Sequence, residues 1–579
     1  MAAIDPTRVN IPIRNNGSAP TANNKPSNGN GRSTTIKPTF VRDTHPMDFP
    51  WKIEWNAETC IRCGSCVATC TFDAIKPQLQ RKGQALSAGT MPTPIESSEV
   101  MMAIKQVNDT KHYCRGCEMC EKVCPTNSIR PVENEHHRFP LVARHGGSPI
   151  KRGGRGHGIR TRALDYIKVG RISQMTDPSL DAARHTFDML TPLGRGLPAE
   201  DLPLKVENGK LVQADWVPPM RWIYPVIIGD MSVGALSWRM WEALALAVSY
   251  LNEECHMPVR MSSGEGGMPV RLLKSEYLKY FIIQIASGHF GWNRIIKAMP
   301  DMVTDPAAIL IKIGQGAKPG DGGLLPAEKV APHIQAIRGV PKADLMSPPN
   351  HQGLYSIEES VQKMFLSMNS AFKFRVPVAI KVAASSTSVA VFNNLVRDPY
   401  QIVGGFFLDG LQGGTGAAHE VSLDHTGHPI LSKLRDCYLA AVDQGKQGQI
   451  PLFVGGGFGD TGDLAADAFK AICLGANGVF SAKIWLQLAG CVGNEKGRCN
   501  ACNTGFCPVG ICTQDQRLVA RLDVDAVAQN IVDYFLALDQ ELKKLMAPIG
   551  NSTLPIGRSD ALVAMSKSAA ERLQIQYAC

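Results

Sequence analysis

The pattern of hydrophobic and polar positions changes at Arg221. Beyond it, short apolar runs alternate with amphipathic segments such as Trp238–Leu251, Ile357–Phe372 and Leu464–Leu474. The apolar runs favour buried parallel strands, and they are Tyr224–Ile228, Ile309–Ile313, Val376–Val382, Gly405–Leu408 and Leu452–Val454. Strand, glycine-rich loop and helix recur over roughly 290 residues, which predicts an α/β fold of the (β/α)8 TIM-barrel type. A doubly wound sheet is the competing architecture.

The rest of the chain divides by composition. Residues 1–45 are rich in Asn, Pro, Ser, Thr and Gly, so we predict a disordered N-terminal tail. Residues 46–137 contain two cysteine runs, and the glycines and prolines of the segment from Lys76 to His112 mark it as an inserted loop. We predict a basic connector and barrel-covering segment over 138–220, the barrel over 221–548 and a C-terminal extension over 549–579.

The two cysteine runs share one spacing, C-x2-C-x2-C-x3-C. It is the spacing of bacterial two-cluster ferredoxins, in which the fourth cysteine of each run ligates the other cluster. We therefore predict one 4Fe–4S cluster on Cys60, Cys63, Cys66 and Cys124, and a second on Cys114, Cys117, Cys120 and Cys70. Zinc sites pair two C-x2-C halves and do not repeat this eight-cysteine pattern.

Composition narrows the class of protein. The chain has 579 residues, of which 44% are hydrophobic and 20% are charged, as in a soluble protein of more than one domain. Clustered cysteines suit a reducing compartment. No apolar run approaches the roughly 20 residues that span a bilayer, and the start does not resemble a secretory signal. We predict a cytoplasmic protein with no membrane span.

The net charge of +9 is modest, but basic residues concentrate between Arg144 and Arg162 in a glycine-rich stretch. Aromatic side chains do not interleave them, so we predict no nucleic-acid partner. Two interpretations remain open. One is a solvated linker, and the other is a docking surface for an acidic electron carrier or partner subunit.

Five loops of the predicted barrel are rich in glycine, which lets main-chain N–H groups approach a phosphate or a planar ring. A flat phosphorylated cofactor is the prediction. The sequence resembles the FMN-binding synthase domain of glutamate synthase in residues 229–237, 264–267, 312–323, 347–351 with 355–358, 413–417 and 507–514. The resemblance spans about residues 221–520 in the family's order.

This resemblance implies FMN and a reaction in which 2-oxoglutarate joins ammonia and the imino acid is reduced to glutamate. It assigns Lys318 to a substrate carboxylate, with Gln315 and Lys312 in the same loop, and Glu265 to proton transfer. Lys381 is placed near the flavin N1–O2 edge. The other cofactor-binding positions are Gly229, Met231, Ser232, Gly413, Gly414, Thr415, Gly416, Gly456, Gly457 and Gly462. The alternative for each charged residue is a structural ion pair at a strand end.

A third iron–sulfur site is also implied, but its spacing departs from the family's. Cys502 and Cys507 match two of the three family ligands, whereas Lys496 occupies the position of the other. Cys499 and Cys512 are the nearest substitutes, with Cys491 also close. A 3Fe–4S and a 4Fe–4S cluster both remain open.

The family resemblance also predicts partners. We expect a ferredoxin or flavoprotein subunit as electron donor, and ammonia, an amine or a separate glutaminase subunit as nitrogen source, within an oligomer. One alternative is an N-methylglutamate synthase-like subunit that uses a methylated amine. Another is a subunit of a larger redox complex that relays electrons without amination.

Overall fold

The computed structural model describes residues 51–70, 74–81, 100–106, 114, 118–133, 163–170, 180, 182, 185–194, 204–213, 220–266, 268–319, 322–349, 351, 353–354, 356, 359, 361–397, 403–411, 413, 422, 425–460, 463–491 and 501–578. The predicted tail lies outside these residues, and so does the basic stretch 144–162. Among them, no helix is long and apolar enough to cross a membrane. The domain limits given above stay predictions.

The cysteine-rich module is a small two-layer unit. Strand β1 (Trp51–Trp55) pairs antiparallel with β4 (Ile129–Glu133), and the short helices α1 (Ser65–Thr69) and α2 (Met119–Lys122) lie between them in the chain. The prediction of an inserted loop is wrong in part. The ends of this segment lie in β2 (Ile75–Arg81) and β3 (Val100–Gln106), which pair antiparallel, because residues 100–104 are an apolar run that favours a strand.

Five short strands come before the barrel: β5 (Ile167–Val169), β6 (Thr191–Leu193), β7 (Leu204–Glu207), β8 (Lys210–Gln213) and β9 (Arg221–Ile223). The pair β6–β9 places Leu193 and Ile223, both fully buried, against the barrel interior. This pair closes the end of the barrel where the strands begin.

The predicted (β/α)8 barrel is confirmed: eight parallel strands close on one another. They are β10 (Val226–Ile228), β11 (Arg260–Ser262), β12 (Phe281–Ile285), β13 (Ala308–Lys312), β16 (Val378–Ala383), β17 (Gly405–Asp409), β18 (Leu452–Gly455) and β19 (Gly478–Ser481). A two-stranded excursion, β14 (Leu324–Leu325) with β15 (Leu345–Met346), follows β13. The doubly wound alternative is excluded, so the Gly457-x-Gly459-x-x-Gly462 spacing after β18 is not a Rossmann loop.

Side chains alternate between the inside and the outside of the barrel along each strand, so the interior is arranged in layers. Ile282, Leu310, Ala379 and Phe407 belong to one buried interior cluster. Side chains two positions apart on a strand point the same way, so the next inward positions toward the strand ends are Gln284, Lys312, Lys381 and Asp409. An apolar layer therefore supports a polar layer at the mouth.

Helices cover the outside of the barrel. They are α3 (Trp238–Glu253), α4 (Val270–Leu273), α5 (Trp292–Ala298), α6 (Pro332–Arg338), α7 (Leu366–Ala371), α8 (Ser388–Arg397), α9 (Ile430–Val442), α10 (Leu464–Cys473), α11 (Lys483–Leu488), α12 (Ala501–Thr504), α13 (Gln516–Val519), α14 (Val524–Met546) and α15 (Lys567–Leu573). Within the predicted helix Ile357–Phe372, a π turn (Val361–Phe365) precedes α7.

The long α14 packs on the barrel through Phe535, whose ring stacks on Trp485 with centroids 4.7 Å apart. Strands β20 (Leu562–Ala564) and β21 (Gln576–Tyr577) join β5 in a separate sheet.

Trp485 tests how α14 is held. It is fully buried, so Trp485→Ala should lower the free energy of unfolding by roughly 3–5 kcal/mol through lost packing and the cavity left behind. A urea titration followed by circular dichroism measures this. Trp222→Ala is the matched control, because that side chain is 52% exposed. Equal effects of the two substitutions would contradict the packing described.

Candidate functional site

The mouth of the barrel is organised around one lysine. Lys381 Nζ forms an ion pair with Asp230 and lies 3.2 Å from Asp409 Oδ2. It also lies 4.9 Å from the centroid of the Phe480 ring, which caps the apolar layer. The three charged side chains come from β16, the loop after β10 and the end of β17. One ammonium group therefore ties together strands that are distant in sequence.

Further hydrogen bonds extend this network. The Ser262 hydroxyl, at the end of β11, donates to Asp230 Oδ1. The Gly316 N–H, in the loop after β13, donates to Asp409 Oδ2 at 3.1 Å. A Cβ at position 316 would lie 2.2 Å from the Gly410 carbonyl oxygen, so only glycine permits this approach. The loops after β13 and β17 are thus held in contact.

The charges of the network stabilise one another. Burial raises the pKa of Asp230, but the Lys381 ammonium beside it outweighs burial, so the pKa lies below its ordinary value. Burial lowers the pKa of Lys381, but Asp230 and Asp409 outweigh it, so the pKa lies above its ordinary value. Asp230 and Lys381 are therefore both ionised at neutral pH.

A second ion pair lies beside the first. Lys312 Nζ is 3.7 Å from Glu265 Oε2, and both side chains are nearly buried. The Ser347 hydroxyl donates to the other oxygen of Glu265. Burial lowers the pKa of Lys312, and nearby Lys381 adds to this effect, although Glu265 offsets part of it. Lys312 is therefore a cation whose proton is held less tightly than usual.

The structure also brings in residues that the sequence analysis did not select. Arg338 is buried, and its Nη2 donates to Ser232 Oγ at 3.0 Å. His351 donates from Nε2 to the Lys312 carbonyl oxygen at 2.9 Å. Its Nδ1 accepts from His289 Nε2 at 3.0 Å, so the two rings fix the backbone that carries Lys312.

Buried cations at the mouth of the barrel can bind an anionic ligand. Lys312, Lys381 and Arg338 lie close to the carboxylates of Glu265, Asp230 and Asp409. Lys318 is 3% exposed, and Gln315 is half-buried in the same loop.

The mouth also has features that fit a flavin. Gly456 has φ +121°, and a Cβ there would lie 3.1 Å from the backbone of Gly410, so the two loops leave a surface of bare main chain. Gln284 Nε2 and Ser481 Oγ are buried and have no hydrogen-bond partner within the part of the chain that the structure describes. Unpartnered buried polar groups of this kind suit a polar ring that completes them.

The predicted cofactor positions lie around this surface. Gly229 packs against Ser481, and Met231 and Ser232 are buried beside it. Gly413 and Gly457 are described, whereas Gly414, Thr415, Gly416 and Gly462 lie outside the described residues.

The first cysteine run forms a pocket. It encloses about 490 Å³ of empty space, part of it open to solvent, and four of its lining residues are Cys60, Cys63, Cys66 and Cys124. This is the ligand set predicted for the first cluster. Main-chain N–H groups point at the sulfurs: Arg62 donates to Cys60 Sγ at 3.4 Å and Ser128 to Cys124 Sγ at 3.2 Å. The pocket fits a cluster held by thiolates.

Among the predicted ligands of the second cluster, Cys114 and Cys120 are buried and Cys70 is partly buried. Ala74 N–H donates to Cys70 Sγ at 3.3 Å. Cys117 lies outside the described residues. No three His, Cys, Asp or Glu side chains of the described residues converge closely enough for a single metal ion. A cluster does not require this, because each of its thiolates binds a different iron.

Three thiols of the third site lie together. Cys502 and Cys512 share a hydrogen bond, which lowers the pKa of Cys502 and raises that of Cys512. Burial raises the pKa of Cys507. Lys329, which is buried, lies close enough to act on both Cys502 and Cys512. Cys499 lies outside the described residues, so Cys512 is the thiol that the structure brings to the two family-like positions.

A closed barrel with a charged mouth, fused to a module with two cysteine runs, defines the class as an iron–sulfur oxidoreductase. Residues 59–127 match the 4Fe-4S double cluster binding domain, and residues 172–552 match the conserved region in glutamate synthase. The second match covers more than half of the chain. The chain belongs to the glutamate synthase family and is an oxidoreductase that acts on a CH–NH2 group. Membership implies iron–sulfur clusters and a flavin.

Relatives agree with this assignment. The chain is 31% identical to the archaeal glutamate synthase [NADPH] of Archaeoglobus fulgidus over 516 residues, 86% of this chain and 90% of the relative. It is 30% identical to the archaeal-type glutamate synthase [NADPH] of Thermotoga maritima, over 86% and 91%. The ferredoxin-dependent glutamate synthase of Cyanidium caldarium is 31% identical over 58% of this chain and 21% of that protein.

Lys381→Met tests the charge network. At pH 7 the variant should lose roughly 3–5 kcal/mol of unfolding free energy, because two buried carboxylates lose their cation. The deficit should shrink on acidification. Native Asp230 has a lowered pKa, so its stabilising contribution is lost as the pH falls through that value, while in the variant Asp230 has no cation beside it and takes up a proton at higher pH. Denaturant titrations of the apoprotein from pH 7 to below the ordinary pKa of an aspartate, about 3.9, measure both effects.

The matched control for this substitution is Lys274→Met. It removes the Lys274–Asp301 pair, whose side chains are 46% and 58% exposed, and should change stability by less than about 1 kcal/mol. A deficit in Lys381→Met that does not depend on pH would contradict the coupling.

Proposed function

We propose that the protein reductively aminates 2-oxoglutarate to glutamate, with electrons passing from its ferredoxin-type clusters to FMN. The observation that carries the proposal is a group of buried or nearly buried cations at the barrel mouth: Lys312, Lys381 and Arg338, with Lys318 in the loop after β13. A dianionic substrate needs such cations. A protein that only relayed electrons would have no need of them.

Lys318 is the residue that we assign to a substrate carboxylate, with Gln315 beside it. Lys318 is buried, and charge-assisted contacts are strong in such surroundings. We assign Arg338 as a second cation for the same substrate. Its guanidinium group lies near Glu265, and its Nη2 donates to Ser232. Its Nε is buried and has no partner among the described residues.

Glu265 and Lys312 are the pair that we assign to proton transfer. A general acid works best when its pKa lies near the working pH. Burial lowers the pKa of Lys312, so its ammonium can release a proton to an imine nitrogen while Glu265 holds the side chain in place. Ser347 fixes Glu265 in turn.

FMN would be held by the bare main chain of the loops at Gly413–Gly416 and Gly456–Gly462, because aligned N–H donors bind phosphate without a dedicated cation. Gly229, Met231 and Ser232 would line the ring. When bound, FMN supplies hydride transfer. Lys381 would favour the anionic reduced ring, with Asp230 and Asp409 fixing its position.

Cys60, Cys63, Cys66 and Cys124 would hold one 4Fe–4S cluster, and Cys114, Cys117, Cys120 and Cys70 a second. Cys502, Cys507 and Cys512 fit a three-thiolate cluster of the 3Fe–4S kind, with Cys499 as a further candidate ligand for a four-iron one. These groups supply one-electron transfer. N–H donors to Cys60, Cys70 and Cys124 would stabilise their negative charge.

The electron donor that we propose is a reduced ferredoxin or a partner flavoprotein. Ammonia, an amine or a separate glutaminase subunit would supply nitrogen. The archaeal-type relatives carry NADPH in their names, and an NADPH-oxidising partner would reconcile that name with entry of electrons through the clusters. NADPH alone should then leave the flavin of the isolated chain oxidised.

Lys318→Ala tests the amination proposal. The variant should retain flavin and iron but lose at least about a hundredfold in glutamate formation with reduced ferredoxin, 2-oxoglutarate and ammonia, because the substrate is no longer fixed for hydride transfer. Lys318→Met separates loss of charge from loss of volume. Lys342→Ala, at an exposed position in the β14–β15 excursion, is the control. Normal turnover by Lys318→Ala would make Lys318 structural.

Cys63→Ser tests the cluster assignment. Residues 60–124 should carry about eight irons as two cubanes, and this variant should lose the paramagnetic resonance signal of one reduced cluster while the other persists. Ser65→Ala, next to the same pocket, should keep both signals. Finding zinc instead of iron in the purified protein would rule the assignment out.

A further inference from the structure

One arginine joins the cysteine-rich module to the barrel. Among the described residues, Arg521 makes the ion pair that crosses between them, with its Nη2 2.6 Å from Glu118 Oε1. Its Nη1 donates to the Pro508 carbonyl oxygen at 3.2 Å. The two side chains are 12% and 26% exposed. A single guanidinium group therefore bridges two loops, at Glu118 and at Pro508, that are distant in sequence.

Both loops are cysteine loops. Glu118 follows Cys117 directly and stands two positions before Cys120 in the second run, where it begins helix α2 with φ +63°. Pro508 follows Cys507 directly in the third site. Arg521 thus contacts the second run on one side and the third site on the other.

The first cysteine run is more exposed to solvent than the second. Cys63 is exposed, and neighbouring Ile61 is 62% exposed. The pocket of the first run is partly open to solvent, whereas Cys114 and Cys120 of the second run are buried. The module therefore has an accessible end and an end that faces the barrel.

We propose that Arg521 is a positioning residue that docks the second cysteine run against the Cys502–Cys512 site. The inference rests on the proposed function for its role in electron flow. With clusters bound, each transfer would move one electron: the group held by the second run would be oxidised and the group held by Cys502–Cys512 would be reduced, with no proton exchanged. A low-potential one-electron donor would supply the electron at the first run, and the flavin would accept it.

The Arg521–Glu118 ion pair suits this positioning role because both side chains are largely buried. Breaking a covered ion pair leaves each charge without its partner, so the module should detach or shift. Electron transfer between fixed centres falls steeply with their separation, so a small shift has a large effect on rate. Glu118 also interacts with Arg517, which is why both sides of the pair need substitution.

The test uses the full-length holoprotein in four forms: wild type, Arg521→Gln, Glu118→Gln and the swapped double variant Glu118→Arg with Arg521→Glu. Glu54→Gln is the matched control, because it removes an ion pair to Arg130 within the same module that is 2.7 Å long and exposed. Three quantities are measured: iron and flavin content, hydrogen exchange of residues 118–133 and 507–522, and the stopped-flow rate of flavin reduction by reduced ferredoxin.

The single variants should keep their iron and flavin, lose exchange protection in both segments and reduce flavin at least about tenfold more slowly, since a covered pair is broken. The swapped variant should recover part of both losses, and Glu54→Gln should match wild type. Unchanged exchange and rate in Arg521→Gln would overturn the proposal, as would loss of iron from the third site.

The outcomes for docking and for the proposed function are distinguishable. If exchange protection falls in the single variants and returns in the swap, docking stands even where wild-type flavin fails to form glutamate. If wild type forms glutamate and Arg521→Gln transfers electrons at the same rate, the function stands and the docking role is refuted.

Discussion

The site depends on one constraint: a buried ammonium group must have carboxylate partners. Lys381 is 6% exposed, and it meets this need with Asp230 and Asp409. Because these residues come from β16, the loop after β10 and the end of β17, their pairing holds strand ends together across the mouth. Gly316 and Ser262 attach to the same carboxylates, so the loops that line the mouth take their positions from this charge network.

The constraint also separates two kinds of charge in one cavity. Lys381 is bound by two carboxylates and is held in place, whereas Lys312 has one carboxylate 3.7 Å away and a pKa that burial lowers. The first suits a fixed electrostatic role and the second suits proton transfer. One-electron groups need no such cavity. On our proposal two of them, the 4Fe–4S clusters, are held in a separate module, which Arg521 joins to the barrel through Glu118.

The spacing of residues along the sequence made part of the fold and of the candidate site predictable. The four cysteines assigned to the first cluster line one pocket, because three lie in one turn-rich loop. Five barrel strands were predicted from apolar runs, but β11 has only three residues and begins with an arginine. Strand β12 follows Glu276–Tyr280 with no turn residue between them, so periodicity does not mark where it begins.

Asp230 and Asp409 were missed as site residues because their partner is distant in sequence, although a lone charge ending a buried strand was a signal. The thiol contact of Cys512 with Cys502 likewise depends on the fold rather than on spacing.

The most direct test is to reduce the holoprotein without oxygen, remove the reductant and mix it with 2-oxoglutarate together with ammonia, methylamine or glutamine. The absorbance of the flavin reports its reoxidation, and glutamate or N-methylglutamate is measured in the product. We predict that 2-oxoglutarate with ammonia reoxidises the flavin and yields one glutamate for every two electrons that the flavin and the clusters together give up. Reduced flavin that persists with 2-oxoglutarate and every nitrogen donor would contradict it and leave the protein as an electron relay.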